Sequence, residues 1–267
     1  MTDAPAKPIT YASYLAIDEL LDLQRPLSGE HDEMLFVVIH QTKELWLKQI
    51  IHETLLAMDL IASGEVEPAL KCLARVSRIQ AVMTHSWDVL ATLTPADYLA
   101  FRGSLGTSSG FQSNQFRRLE YLLGLKDSNF LKFHRERPKA LSELEEAIAR
   151  PSLYDLAIRR LAAAGLAIPA QVLERDVTKA WEPNQGVEDA WLEVYRDTAR
   201  HWDLYALAEK LVDLDDALAT WRHKHVVTVE RIIGLKRGTG GTPGVSYLQS
   251  TLVKRAFPEL WSLRTKL

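Results

Sequence analysis

The sequence predicts an all-α protein, folded as a single-domain bundle of long antiparallel helices. Three observations lead to this expectation. Apolar residues recur every three or four positions through most of the 267-residue chain, which is the period of an amphipathic helix. Alternating patterns typical of strands are nearly absent, and short groups of Gly, Pro and Ser residues interrupt the helical stretches. Short connections between long helices are typical of antiparallel bundles.

The individual helices follow from this period in chain order. The first is a short, tyrosine-rich amphipathic stretch, TYASYLAIDELLDL. Further helices are expected over residues 34–58, 70–93, 116–125, 140–148, 153–166 and 187–235. A break at Pro151 suggests a small helical insertion over residues 150–187. No repeat or low-complexity linker divides the chain, so we expect one domain over residues 1–267.

The composition excludes several classes of function. Hydrophobic residues make up 47% and charged residues 25% of the chain, as in a globular protein with a substantial core. A net charge of -3 with scattered Lys and Arg gives no basic face for nucleic acid. The single cysteine, Cys72, rules out an intrachain disulfide and CxxC motifs. No signal peptide or membrane-spanning stretch is recognisable, so we expect a cytoplasmic protein without a membrane partner.

The segment HDEMLFVVIHQTKELWLKQIIHE places a histidine beside an aromatic ring. Phe36 and His40 lie four residues apart, on one edge of the apolar stripe of the predicted helix, so their side chains face the same place. Such a pair can form part of a binding site. The alternative is a histidine that flanks the core and bonds to a carbonyl group, and this segment alone leaves both open.

The segment YLAFRGSLGTSSGFQSNQFRRLEYLLG combines an arginine with a loop of small residues. Tyr98 and Arg102 are one helical turn apart, and Ser109 or Ser113 is expected to cap the helix that follows the loop. An arginine beside such a loop can bind a carboxylate through two hydrogen bonds. No charged residue occurs between Arg102 and Arg117, which favours a buried loop. The alternative is a surface arginine above a flexible loop.

A second histidine lies within the apolar stripe of the last long helix. One face of this helix carries His225 together with Leu218, Trp221, Val229 and Ile232. Most such histidines are satisfied core residues, but a haem iron needs one neutral imidazole in an apolar wall. A zinc site is not indicated, because His223 and His225 diverge on a helix and no HExxH motif is present.

The loop GLKRGTGGTPG follows that helix directly. It does not have the spacing of a phosphate-binding loop. Its many glycines indicate a backbone that folds closely over something, with Thr239 and Thr242 as sources of hydroxyl groups. Apolar helices on both sides suit a lid over a ligand. The alternative is a disordered tether.

Four segments of the chain form one recognisable set: TYASYLAIDELLDLQRPLS, HDEMLFVVIHQTKELWLKQIIHE, SGFQSNQFRRLEYLLG and RHKHVVTVERIIGLKRGTGGTPGVSYL. In this order they closely resemble the tryptophan 2,3-dioxygenase family. The resemblance implies a mostly helical homotetramer with one haem b, and hence one iron, per subunit. It also implies that both atoms of O₂, the co-substrate, are inserted across the indole C2–C3 bond of L-tryptophan. The product is N-formyl-L-kynurenine, in the first step of the kynurenine pathway.

The resemblance implies roles for individual residues. His225 matches the axial ligand of the haem iron. His40, the candidate catalytic residue, matches a histidine near the indole N–H, which we expect to orient the substrate rather than to act as an obligatory base. Arg102 and Tyr98 match the group that binds the substrate carboxylate, and Thr239 matches a lid residue at the amino-acid end of the substrate. The other expected substrate-binding positions are Phe36, Val37, Val38, Ile39, Leu105 and Ser109.

The tyrosine-rich N-terminus also has a counterpart in the family. Tyr11 and Tyr14 match an N-terminal element that reaches into the active site of a neighbouring subunit. We therefore expect an arm of residues 1–25 to be exchanged between subunits of the homotetramer. Packing of this segment on its own bundle is the alternative that the residues alone allow.

Other functions are compatible with the residues taken alone. A haem-binding sensor or carrier is one, although it has no use for a carboxylate-binding arginine. A structural helical oligomer is another, and it would bind no chromophore. A haem dioxygenase with a broader range of indole substrates is the third, although Arg102, Tyr98 and the GTGG loop favour an amino acid.

Overall fold

The computed structural model describes residues 8–241 and 244–267, so residues 1–7 of the predicted arm and Thr242 lie outside the described residues. Within these ranges the chain is helical and forms no strand, as predicted. No helix in these ranges is both long and apolar enough to cross a lipid bilayer. The α-helices are α1 (Tyr11–Leu15), α2 (Ile17–Leu21), α3 (Glu33–Ser63), α4 (Val66–Leu90), α5 (Pro95–Arg102), α6 (Asn114–Leu123), α7 (Pro138–Ala149), α8 (Leu153–Ala163), α9 (Ala170–Leu173), α10 (Gln185–Arg196), α11 (Trp202–Ile233), α12 (Val245–Ser250) and α13 (Pro258–Ser262). Short 3₁₀ helices cover Gly103–Leu105, Gly110–Gln112, Ser128–His134 and Leu263–Lys266.

Helices α3 and α4 form an antiparallel hairpin. Gly64 ends α3 with a φ of 89°, a left-handed conformation that glycine adopts without strain. Near this turn Arg75 Nη1 bonds to Glu53 Oε1 at 2.6 Å, and further along the pair Lys43 Nζ lies over the ring of Trp87. Residue numbers fall along α3 as they rise along α4, so the predicted antiparallel packing is confirmed for this pair.

Helices α4 and α11 run parallel to each other. Gln80 Nε2 donates a hydrogen bond to the carbonyl oxygen of Leu214 at 3.5 Å, and Lys224 Nζ bonds to Asp88 Oδ1 at 2.5 Å. Because the residue numbers rise together along both helices, the prediction of antiparallel helices is wrong for this pair. Parallel neighbours need a long connection between them, and residues 91–201 supply it.

The helix expected over residues 187–235 is divided into α10 and α11. The backbone leaves the helical conformation at Asp197, with φ −132° and ψ 66°, and α11 begins after His201. The Asp197 carboxylate accepts a hydrogen bond from the backbone N–H of Arg200 at 3.2 Å. Such a local bond competes with continuation of the helix, and hydrophobic periodicity does not reveal it. The first expected helix is divided as well, at Ala16, where φ is 50°.

One large apolar core joins the long helices to the shorter ones. Leu153, Ile158 and Leu161 of α8 are buried in the same cluster as Leu47 of α3 and Leu211 of α11. Each fully buried leucine or isoleucine contributes about 1.5–3 kcal/mol to folding. The residues of α8 therefore help to hold α3 and α11 in a fixed relation to each other.

Two buried carboxylates fasten the C-terminal segment to this core. Asp215 Oδ2 of α11 accepts a hydrogen bond from Trp261 Nε1 at 2.9 Å. Glu259 of α13 accepts from the hydroxyl of Tyr154 at 2.9 Å and from the indole N–H of Trp181 at 3.0 Å. Burial raises the pKa of both carboxyl groups. The chain that follows the loop after α11 is therefore anchored on the core.

Candidate functional site

A cavity of about 590 Å³ lies between α3, α4 and α11. Phe36 and His40 of α3, Trp87 of α4 and His225 of α11 line it. Residues of α5, α6 and α12, the loop before α6 and the loop after α11 also line it. Pockets that hold small molecules and cofactors have volumes of about 300–1,000 Å³. The cavity is therefore large enough for a bulky organic ligand.

His225 presents a neutral imidazole to this cavity. Its ring stacks on Trp87, with centroids 4.5 Å apart and planes 10° apart, and Trp221 lies 5.2 Å away on the same helix. Burial, with smaller contributions from the charges of Lys43 and His40, lowers the pKa of His225 to about 3. A neutral imidazole in an aromatic wall is the state in which histidine ligates iron.

The face of α11 predicted from the sequence is the face that borders the cavity. Trp221 and Val229, one turn before and one turn after His225, both line it. His223 is exposed, as its different position on the helical turn predicted. The histidine in the apolar stripe therefore lies in a cavity wall, and its exposed neighbour does not.

His40 has a fixed tautomer. Its Nδ1 lies 2.7 Å from the carbonyl oxygen of Phe36, and because a carbonyl can only accept, Nδ1 carries the proton. Burial is the main reason that the pKa of His40 falls to about 4, so the ring is neutral. The Nε2 atom consequently has a lone pair and can accept a hydrogen bond. The ring also contacts Phe36, with centroids 4.1 Å apart.

Arg102 and the loop after α11 are in direct contact. Arg102 Nη2 donates a hydrogen bond to the carbonyl oxygen of Arg237 at 2.6 Å. Thr239 Oγ1 donates to the carbonyl oxygen of Ser108. The two loops therefore lie against each other at the edge of the cavity, with the Arg102 guanidinium at their junction. The hydrogen bond to the Arg237 carbonyl oxygen shows that the Arg102 guanidinium can reach an acceptor at this junction.

The loop that follows Arg102 is more open than its lack of charge suggested. Residues 103–108 are exposed except Leu105, which is half-buried, so the expectation of a buried loop is wrong. A loop of Gly, Ser and Thr exposes its backbone groups to water and can therefore be solvated without any charged side chain. For this reason the absence of charge did not indicate burial. Ser113, one of the two predicted caps, does accept a hydrogen bond from a backbone N–H in the first turn of α6.

Six of the site residues expected from the sequence line the cavity: Phe36, His40, Tyr98, Ser109, His225 and Thr239. Arg102 and Leu105 lie beside it. Arg102 contacts the loop after α11, and Leu105 packs against the apolar cluster that contains Phe101 and Tyr98. The structure thus gathers residues from α3, α5, α11 and two loops around one space.

The remaining expected site residues are not brought to the cavity of their own chain. Val37, Val38 and Ile39 follow Phe36 on α3, but a helix turns by roughly 100° per residue, so they point elsewhere. Ile39 is buried in the neighbouring apolar cluster, and Val38 is exposed. Tyr11 and Tyr14 of α1 are 76% and 77% exposed, and α1 buries none of its residues.

Several polar groups at the cavity were not predicted from the sequence. Buried nitrogen atoms of four lining residues have no hydrogen-bond partner in the described chain: Lys43 Nζ, Trp87 Nε1, Arg117 Nε and Trp221 Nε1. Burial lowers the pKa of Lys43 to about 7. The spacing of Lys43 from His40, one helical turn along the apolar stripe, is a signal from which its place in the site could have been predicted. Nothing in the sequence around Trp87 or Arg117 indicates a site.

This donor set fits a haem b. One neutral imidazole, His225, is available in an aromatic wall, and N–H donors without partners can bind the two carboxylates of such a cofactor. The described residues contain no group of three His, Cys, Asp or Glu side chains that could hold a metal ion by themselves. A single imidazole instead suits an iron whose other ligands would come mainly from a macrocycle.

Comparisons with known proteins agree over the whole chain. The sequence profile of tryptophan 2,3-dioxygenase matches residues 2–151 and 145–267. The tryptophan 2,3-dioxygenase of Caulobacter vibrioides is 70% identical over 262 residues, which are 98% of this chain and 100% of that protein. Those of Bacillus cereus and Bordetella parapertussis are each 53% identical, and the matches cover 97% and 98% of this chain and 93% and 92% of those proteins. The chain therefore belongs to the tryptophan 2,3-dioxygenase family.

Proposed function

We propose that this protein is a haem-dependent dioxygenase that converts L-tryptophan and O₂ to N-formyl-L-kynurenine. The observation that carries the proposal is the pair of neutral imidazoles, His225 from α11 and His40 from α3, that line one cavity of cofactor size. The names of its relatives give the reaction. The reaction opens the pyrrole ring of the indole and begins tryptophan degradation.

His225 is the residue that would hold the haem iron. When bound there, the haem would supply the activation of O₂ toward the indole. Trp87 and Trp221 flank the imidazole and fix its orientation. The low pKa of His225 keeps its imidazole neutral at physiological pH, so a proton does not compete with the iron for the lone pair of the ring.

The substrate would be oriented from both of its ends. Arg102, at the junction of the two loops, would exchange the Arg237 carbonyl for the substrate carboxylate, and Thr239 would contact the amino-acid end. His40 Nε2 would accept the indole N–H, because its Nδ1 proton is committed to Phe36. The aromatic rings of Phe36 and Tyr98 form the apolar side of this space. His40 thus positions the indole and does not need to remove its proton.

The proposal is tested with the purified, dithionite-reduced protein under nitrogen, followed by L-tryptophan and O₂. A spectrum of histidine-ligated haem and the near-ultraviolet band of N-formylkynurenine are expected. With ¹⁸O₂, both labelled atoms should appear in one product molecule. A haem spectrum without product would favour a haem sensor, and a protein that binds no haem even with added hemin would contradict both functions.

The contribution of His40 is expected to be independent of pH in the neutral range. With a pKa of about 4 in place of the ordinary 6.5, His40 loses its acceptor lone pair only in strong acid. The ratio of kcat/KM between wild type and His40→Ala should therefore stay constant between about pH 5.5 and 8.5. Its value should be about 3- to 10-fold, as for one neutral hydrogen bond.

The benzofuran analogue of tryptophan, which has oxygen in place of the N–H, is the control for this pH series. Binding of the analogue should respond to His40→Ala far less than binding of L-tryptophan does. A ratio that collapses toward unity with a midpoint near pH 6.5 would show that His40 protonates in the working range, against the lowered pKa and neutral state assigned to it.

The contact between Gly240 and Ser109 makes loop closure testable. A Cβ atom at position 240 would meet Ser109 Cβ at 2.6 Å and Ser109 Oγ at 2.7 Å. Gly240→Ala should therefore hold the loop away from its partner and raise KM for L-tryptophan about 10-fold, within the usual cost of overpacking. Trypsin should also cleave faster after Lys236 and Arg237, which is a readout independent of activity.

A double variant decides whether this effect is steric. Ser109→Gly removes both atoms that the added methyl group meets, so Ser109→Gly/Gly240→Ala should return trypsin resistance toward that of Ser109→Gly alone. Equal cleavage of wild type and Gly240→Ala would count against a loop that rests on Ser109.

We extend the proposal to a homotetramer in which the N-terminal arm docks on a neighbouring subunit. The support is the exposure of Ile9, Tyr11 and Tyr14, three large apolar side chains in a short segment that its own bundle leaves uncovered. Light scattering of the full chain should give four subunits. A chain lacking residues 1–25 should show altered assembly or a raised KM, and a monomeric full chain would contradict this extension.

A single buried cysteine, Cys72, is consistent with a cytoplasmic location.

A further inference from the structure

Two lysines are buried in the described chain, and they differ in their partners. Lys126 Nζ donates to the carbonyl oxygens of Ile148, Arg150 and Val177 at 3.0, 2.5 and 2.6 Å. Lys43 Nζ has no hydrogen-bond partner among the described residues, although its side chain is only 7% exposed. A buried ammonium group without a hydrogen-bond acceptor is unfavourable, and its contact with the face of the Trp87 ring offsets only part of that cost. The contrast indicates that the partner of Lys43 lies outside the described residues.

The surroundings of Lys43 indicate what that partner is. Its Nζ lies 3.0 Å from the centroid of the Trp87 ring, and Trp87 in turn stacks on His225. The Trp87 indole N–H also has no partner in the described chain. An ammonium group and an indole N–H are both donors, so their common complement is an acceptor, and an anionic one fits best.

The carboxylates of the cavity are already engaged with other side chains. Among the described lining residues, Glu120 pairs with Arg117 and Arg222, and Glu44 accepts a hydrogen bond from Gln115 at 2.9 Å. The cationic lining side chains number four and the carboxylates two, so with Lys43 protonated the wall has an excess of two positive charges. The cationic residues are Lys43, Arg117, Arg137 and Arg222. A ligand that carries two carboxylates would balance this charge.

We propose that Lys43 binds a carboxylate of the haem, with the Trp87 indole N–H as a second donor to the same end of the cofactor. The inference rests on the proposed function, because it takes haem as the occupant of the cavity. Lys43 then joins the cofactor to α3, while His225 joins it to α11 and Trp87 to α4. The residue serves to retain and orient the cofactor and takes no part in the oxygen chemistry.

The test compares two porphyrins on the full-length chain prepared without haem. Hemin carries two free carboxylates, and hemin dimethyl ester has the same ring and iron without those charges. Lys43→Met keeps the length of the side chain and removes its charge. We expect Lys43→Met to weaken hemin binding about 10- to 100-fold, as for loss of a hydrogen bond to a charged group, and to leave the affinity for the ester within about 2-fold of wild type.

Lys48→Met is the matched control, because Lys48 is exposed on the same helix. It should alter neither affinity. Lys43→Arg should preserve the preference for hemin over its ester, since it retains the charge. Unchanged ester binding also demonstrates that the Lys43→Met pocket is folded.

The outcomes separate this inference from the proposed function. Equal losses for hemin and ester in Lys43→Met, or no loss for either, overturn the role of Lys43 and leave the haem proposal intact. A wild-type chain that binds hemin and the ester equally well also overturns carboxylate recognition. A wild-type chain that binds neither porphyrin overturns both proposals together.

Discussion

Replacement of His225 by glycine is expected to abolish haem retention and turnover. His225 is the neutral imidazole in the aromatic wall formed by Trp87 and Trp221. Loss of a residue that only orients a metal ligand typically costs 10- to 100-fold in affinity or activity, so loss of the ligand itself should exceed about 100-fold. Haem content per subunit after purification, and kcat with saturating L-tryptophan, measure the effect.

A matched control and a rescue accompany this variant. His223→Gly introduces the same helix-weakening residue two positions away, on the exposed side of α11, and should retain haem and activity. Added imidazole can occupy the space left in His225→Gly and should restore part of the haem spectrum. Full haem content with normal turnover in His225→Gly would show that another group ligates the iron.

Replacement of Arg102 by alanine is expected to weaken binding of L-tryptophan roughly 10- to 100-fold, which is the range for loss of a hydrogen bond to a charged group. The guanidinium lies where the loop after α11 meets the loop after α5, and there it reaches a carbonyl oxygen at 2.6 Å. Arg102 contacts the loop after α11 and none of the residues of the His225 wall, so the haem spectrum should not change. Titration of the ligand-induced spectral shift measures affinity directly.

Tryptamine makes this experiment specific to the carboxylate. It has the indole and the amine of tryptophan but no carboxylate, so Arg102→Ala should leave its affinity nearly unchanged. Arg237→Ala removes an equal charge from the adjoining loop and keeps the carbonyl that Arg102 contacts, and it should have little effect on either ligand. Equal losses for L-tryptophan and tryptamine would indicate a general loosening of the loops instead of a lost carboxylate contact.

Local features of this structure were predictable because they depend on neighbouring residues. The period of apolar residues identified the long helices and the face of α11 that carries His225. The four-residue spacing of Phe36 and His40 predicted two rings on one side of α3, and their centroids are 4.1 Å apart. Helical geometry alone determines both results.

Features that depend on distant residues were not predictable in this way. The parallel course of α4 and α11 and the position of Lys43 over Trp87 arise when helices far apart in sequence pack together. A hydrophobic period states which face is buried but not which helix covers it. The break at Asp197 is local, but it depends on one side-chain hydrogen bond that does not disturb the apolar pattern.

The parallel course of α4 and α11 also sets the order in which the site can be made during synthesis. The α3–α4 hairpin consists of residues that are neighbours in the chain, so it can form early, whereas α11 follows the long connection of residues 91–201. Closing so large a loop is slow and entropically costly before the rest of the core is in place. We therefore expect the wall that bears His225 to join the hairpin late, so that a nascent chain has no pocket for the proposed cofactor until most of it has left the ribosome. Capture of the proposed cofactor would thus be tied to nearly completed chains, and truncated ones would lack the stabilisation that binding confers.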